Sequence, residues 1–160
     1  MGKYKLVKEK FTVDEGLDVS EIESLRDEMQ SWVDNMSGTA LENTSRYQMA
    51  SDAADQLSRV DEVRIEDIWD AVSSTEYLTE DLRNLEYEVG IFKVKSRRQY
   101  PSRAYRLSNT ISAINRAIEC LRDFLEPYED NEVGEVRAAI DEVESVVQDL
   151  DSVEFPGMYG

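Results

Sequence analysis

The apolar positions of this chain fall into stripes at helical spacing. Over 101–125, Ala104, Leu107, Ile111, Ile114, Ile118, Leu121 and Leu125 step by three and four, the seam one helix presents to another. The same step joins Ile22, Leu25, Met29, Trp32 and Met36, predicting a helix over 20–35, and joins Val133, Val136, Ile140, Val143, Val147 and Leu150 in a last helix. Between them, Tyr47, Ala50, Ala54 and Leu57, with the small Ala53 beside them, predict a helix over 40–60. Ile65, Ile68, Trp69 and Val72 form a shorter stripe, and Leu78, Leu82, Leu85 and Val89 predict a helix over 76–89.

Local punctuation agrees with these spans. Ser20 and Glu23 read as a capping box, Ser37-Gly38 and Gly90 as helix ends, and Pro101 as a first-turn residue. Pro127 stops the helix before it, and Asp130 or Asn131 is placed to cap the next. The short link at 126–130 predicts that the last two helices form a long antiparallel hairpin. Two segments lack helical period. KYKLVKEKFTV at 3–13 reads as an extended arm or short edge strand, and IFKVKSRRQY at 91–100 as a basic loop or short extended piece. The closing VEFPGMYG carries Phe155, Met158 and Tyr159, enough apolar surface to dock.

The expected fold is all-α: a five- to six-helix bundle in one domain over 1–160, with an arm at 1–15, a tail at 153–160, and Trp32, Trp69, Ile111, Ile114, Ile118 and Leu121 in its core. Length suits one domain with its own core. The one cysteine, Cys120, excludes an internal disulfide, and no window has the roughly 18 apolar residues of a membrane span. No signal-peptide pattern opens the chain, so a cytoplasmic protein with no membrane partner is expected.

Charge changes the picture more than composition does. The net charge is −17, yet residues 93–118 carry Lys93, Lys95, Arg97, Arg98, Arg103, Arg106 and Arg116 with no acid at all. Residues 14–92 sum to −16 and 119–160 to −11, while the first 13 residues are mildly basic. The basic block is an island. Tyr100 and Tyr105 interleave with its arginines, so Arg97, Arg98, Tyr100, Arg103, Tyr105 and Arg106 are the candidate partner-binding residues. The competing and favoured reading is internal: the basic start of the long helix packs beside an acidic helix and holds the bundle in register. Long-range repulsion at −17 disfavours nucleic acid as the partner.

Catalytic chemistry finds little footing. With no histidine the commonest general base and metal ligand are missing, and a lone Cys120 cannot form a Cys-His pair, leaving a partly buried inert thiol as its expected role. No phosphate-cradling glycine motif or nucleophile elbow is present. Glu62, Glu66 and Asp70, and Glu119 with Asp123, share helix faces that could hold Mg²⁺ as in all-helical nucleotide pyrophosphatases. With 35 acids such pairs arise by chance, so solvated faces are the expectation, with no catalytic residue, metal or cofactor.

The stretches EIESLRDEMQSWVDNMSGTALENTSRY at 21–47, PSRAYRLSNTISAINRAI at 101–118 and VEFPGMYG at 153–160 resemble a group of small acidic proteins encoded by tailed bacteriophages. The resemblance touches about a third of the chain. It implies a phage protein working in the cytoplasm of an infected bacterium and, as phage accessory proteins of this size often do, binding host machinery. Members of the group are mostly uncharacterised, so it carries over no catalytic residue. The expected function is therefore a non-enzymatic accessory protein that binds a host or phage protein, with inhibition of a host or defence factor as its concrete form. Two alternatives stand beside it: a scaffolding homo-oligomer built on uncovered heptad seams, and an acidic DNA mimic or a nucleic-acid binder using the 93–106 block.

Overall fold

Helices form where the seams lie, and their ends follow the capping chemistry only in part. A computed structural model of the chain describes residues 5–12, 19–63, 81, 84–93 and 101–156. Among these are four α-helices, two short 3-10 turns and one two-stranded antiparallel sheet. The predominantly helical expectation holds in outline; the sheet is what the all-α reading lacked. The spans predicted at 65–72 and 76–80, Trp69 with them, lie outside the described residues.

Helix α1 spans Ser20–Met36 and buries Ile22, Leu25 and Met29 completely. Trp32, expected in the core, is half-buried and packs against its edge. The capping box does not form as predicted: Ser20 is already helical, and the cap position falls to Val19, whose side chain supplies no cap bond. Glu21 and Glu23 in the first turn still favour the positive end of the helix dipole. At the far end Ser37 closes onto the Val33 carbonyl, and Gly38 reverses the chain at φ +76°, a left-handed conformation that glycine adopts without a Cβ penalty.

The helix predicted over 40–60 is broken into three pieces. A 3-10 turn at Ala40–Asn43 precedes α2 at Ser45–Leu57, and a second 3-10 turn follows at Ser58–Glu62. The break is at Thr44, whose backbone is extended (φ −82°, ψ 159°) and whose hydroxyl accepts from the Tyr47 amide, capping α2. Ala50, Ala53, Ala54 and Leu57 are buried, and the three small alanines let α2 lie close against α1.

Strand β1 at Lys5–Thr12 pairs with β2 at Glu86–Lys93, in the register Thr12↔Glu86, Lys8↔Gly90 and Lys5↔Lys93. The edge-strand option for the N-terminal arm is thus the one realised. The helix predicted to run to Val89 is not helical from Glu86 onward. Over 86–89 charged and apolar residues alternate, Tyr87 and Val89 facing inward while Glu86 and Glu88 face water, which is the period of a strand. Gly90, expected as a helix cap, is mid-strand instead.

Helix α3 spans Arg103–Leu125. Ser102 caps it, accepting from the Tyr105 amide, and Pro101 lies just before the cap rather than in the first turn. Leu107, Ile111, Ile114, Ile118, Leu121 and Leu125 are buried as predicted, but Ala104 is exposed. The buried face is wider than the seam because β2 covers a second line on α3. Asn109 Nδ2 donates to the Gly90 carbonyl at 3.0 Å, and Cys120 Sγ lies 3.6 Å from the Glu86 carbonyl. Strand and helix therefore run in opposite directions.

Helix α4 spans Asp130–Asp151, and all six residues of its predicted seam are buried. Glu129 takes the cap position expected of Asp130 or Asn131. Arg137 reaches back to the end of α3, donating to the Leu125 and Tyr128 carbonyls, each at 2.7 Å, and so satisfies groups the helix end leaves open. Arg122 on α3 pairs with Asp141 and Glu144 on α4, and Arg59 ties the second 3-10 turn to Asp149. Beyond α4, Val153 and Pro156 are buried and Phe155 packs against the core, so the tail docks as far as it is described. No helix of the described residues is long and apolar enough to cross a membrane.

Candidate functional site

The basic island is wired to α1. Arg106 Nη1 donates to Glu21 Oε1 at 3.0 Å and to Glu28 Oε2 at 2.9 Å, while Nη2 donates to Glu28 Oε1 at 3.0 Å. Arg103 Nε donates to the same Oε1 at 3.0 Å, and its guanidinium lies 5.3 Å from the centre of the Trp32 ring, within cation–π range. A bidentate guanidinium–carboxylate fork is among the stronger hydrogen-bonded pairs a protein makes. Burial alone would push the Glu28 carboxyl up, but the hydrogen bonds and charges of Arg106 and Arg103 outweigh it and hold the carboxyl below its ordinary range. Burial likewise works against the Arg106 charge, and Glu28 and Glu21 more than offset it.

The six candidate residues therefore separate. Arg106 is 6 % exposed and turned inward, so its guanidinium offers no surface to a partner. Arg103 is engaged by Glu28 and Trp32, and Tyr105 is half-buried. Arg97, Arg98 and Tyr100 lie outside the described residues. Sequence reasoning allowed an internal match with an acidic helix without naming the acids. The signal was there: Glu21 and Glu28 are seven residues apart and so share one face of α1, as Arg103 and Arg106, three apart, do on α3.

Of the catalytic candidates, Glu62 sits on the second 3-10 turn, and Glu119 and Asp123 sit four residues apart on the exposed side of α3. Glu62 pairs with Arg59 at 2.8 Å and Glu119 with Arg116 at 3.0 Å, both exposed, while Glu66 and Asp70 lie outside the described residues. Among the described residues no group of three or more acids or thiols is placed to hold a metal ion. Burial pushes the Cys120 thiol up; nearby Arg116 lowers it, and Asp123 and Glu119 raise it further. A thiol held protonated in this way is a poor nucleophile.

Two surface depressions meet at the start of α2. One is an apolar notch of about 610 Å³ between Trp32, Met36 and Leu41, with Arg46 on its rim. The other is a groove of about 630 Å³ running along α2 to the end of α4, whose charged lining residues are Glu42, Asp52 and Glu154. Thr44 and Ser45 line both. Leu41, 54 % exposed, is the large apolar side chain most open to solvent among the described residues. It belongs to none of the stripes read from the sequence, and that isolation was its only signal.

No family model, no curated protein and no solved structure matches this chain.

Proposed function

We propose that this chain is a non-enzymatic binding protein that engages another protein through its acidic exterior. One observation carries the reading: the described cations of the α3 start are engaged by acids of α1, Arg106 by Glu21 and Glu28 and Arg103 by Glu28, while acids of α2 and α4, among them Asp52, Asp55, Glu135 and Glu142, face solvent. Because two cations are paired with two acids, the rest of the surface keeps the whole net charge of −17, and such a field steers a basic surface toward it. The resemblance to small acidic phage proteins supplies the setting: an infected bacterium, with a host or defence factor as the target. Mimicry of DNA at the groove of a nucleic-acid-binding target is one form of the same reading. Burial of the α1, α3 and α4 seams within one chain supports it over a scaffold assembled through those seams.

The test is affinity capture from lysate of the bacterial host, comparing the wild type with an Asp52→Lys/Glu142→Lys/Glu154→Lys variant whose fold is checked by circular dichroism. The expected result is capture of a basic protein that is lost both with the variant and at about 0.5 M salt, where screening is short-ranged. Mg²⁺-dependent nucleotide turnover that disappears in Glu62→Gln, or an equal yield from the variant, overturns the reading. Displacement of the captured protein by duplex DNA identifies the mimic form.

A further inference from the structure

Leu41 is not a side chain left over on a loose loop. Its amide donates to Thr39 Oγ1 at 3.1 Å, and its carbonyl accepts from Thr44 Oγ1 at 2.7 Å and from the Thr44 amide at 3.1 Å. The next residue is held too, because Glu42 accepts from the Gly38 amide at 3.1 Å. Every polar backbone group of Leu41 is satisfied while its side chain points to water. An apolar group displayed from a fixed backbone loses little conformational entropy when a partner covers it, the property of an interface anchor. It stands at the lip of the notch formed with Trp32 and Met36. Trp32 is steadied by the Arg103 guanidinium, so the notch is built on the same ion cluster that joins α1 to α3.

Charge selects what fills it. Among the described residues the groove continuous with the notch is lined by Glu42, Asp52 and Glu154 and by no cation, while Arg46 stands on the rim of the notch itself. Asp52 accepts from its own helix neighbour Gln48 at 2.9 Å, and all three acids are exposed. A second copy of this chain brings −17 of like charge to that groove, and nucleic acid brings phosphate, so both are repelled. A cationic protein segment is attracted.

We propose that the Ala40–Asn43 turn and the start of α2 form a two-part docking site for a cationic amphipathic segment of a partner protein. An apolar side chain of that segment seats against Leu41, Met36 and Trp32, and its Lys or Arg side chains lie along Glu42, Asp52 and Glu154. The proposal rests on the protein-binding reading above and places the partner on one face.

The test uses the full chain and fluorescein-labelled helix-forming peptides of about 15 residues, a length that lays one apolar stripe in a groove. The first carries leucines on one face and lysines on the other; the second has the leucines replaced by serine; the third has the lysines replaced by glutamate. The first peptide is expected to bind in fluorescence anisotropy, and the other two to bind at least about tenfold more weakly, since anchor and charge each supply a hot-spot-sized share. Leu41→Ser and Glu154→Lys, both at exposed positions, are each expected to weaken the first peptide about tenfold. Glu135→Lys, the same charge change at an exposed position on α4, is expected to leave binding within about twofold. Absence of binding by the first peptide overturns the site, as does an unchanged affinity for Leu41→Ser. Equal losses for Glu135→Lys and Glu154→Lys show attraction by overall charge and overturn it as well. A lysate protein still captured by Leu41→Ser and Glu154→Lys, but lost with the triple charge reversal, overturns this site while leaving protein binding standing.

Discussion

Arg106 on α3 grips Glu28 on α1 with both terminal nitrogens, 2.9 Å to one carboxylate oxygen and 3.0 Å to the other. The two residues stand 78 positions apart in the chain, so the contact locks two helices whose adjacency nothing local dictates. With Arg103 on the same carboxylate and Glu21 on the same guanidinium, it is a four-residue cluster at a helix–helix interface.

Breaking one side of that cluster should cost more than removing both. Glu28→Gln keeps the volume but takes the bidentate carboxylate from the nearly buried Arg106 charge, and a stability loss of about 2 kcal/mol is expected in urea unfolding, in line with hydrogen bonds to charged groups. Glu28→Leu/Arg106→Met removes the charges together and should recover most of that loss, because paired apolar replacements often match a buried ion pair. A double variant less stable than Glu28→Gln would show that the cluster is worth more than the desolvation it costs.

The pH dependence follows from the same carboxylate. Glu28 has a folded-state pKa below its ordinary value of 4.5, so the folded chain holds it ionised where the unfolded chain begins to protonate it. Its contribution is fully present above about pH 4.5 and is lost as the pH falls through the lower folded value. Urea midpoints of the wild type and Glu28→Gln should differ at neutral pH and converge in acid. A gap that is constant down to the acid limit would mean that protonation of Glu28 is not linked to folding.

Gly38 isolates a backbone requirement from a packing one. A Cβ at this position would meet nothing within 4 Å, so only the positive φ stands against substitution. Gly38→Ala should lower stability by about 1 kcal/mol, the cost of placing an ordinary residue in the left-handed region, and Gly38→Asn by less, because asparagine visits that region more readily. Thermal unfolding of the pair checks the order; an equal loss for both would point to a local rearrangement of the turn that displays Leu41.

What the sequence by itself determined is what local periodicity controls. The seams of α1, α3 and α4 were legible because residues three and four apart share a helix face whatever lies across from them, and burial bears this out for every seam position but Trp32, which is half-buried, and Ala104, which is exposed. Ends were less legible, since Val19 and Glu129 occupy cap positions that better-suited neighbours were expected to take. The tertiary structure alone decided the fate of Glu86–Lys93. Leu78, Leu82, Leu85 and Val89 fit a helical step, yet the alternation around Tyr87 fits a strand, and the presence of β1 resolves the ambiguity by supplying backbone partners from about eighty residues earlier in the chain. The same holds for the charges. The sequence displayed a basic island in an acidic chain, but whether Arg106 faces water or Glu28 depends on which helix lies beside α3. That is a matter of packing, because spacing puts Glu21 with Glu28 on one face of α1 and Arg103 with Arg106 on one face of α3 but does not say that the two faces meet.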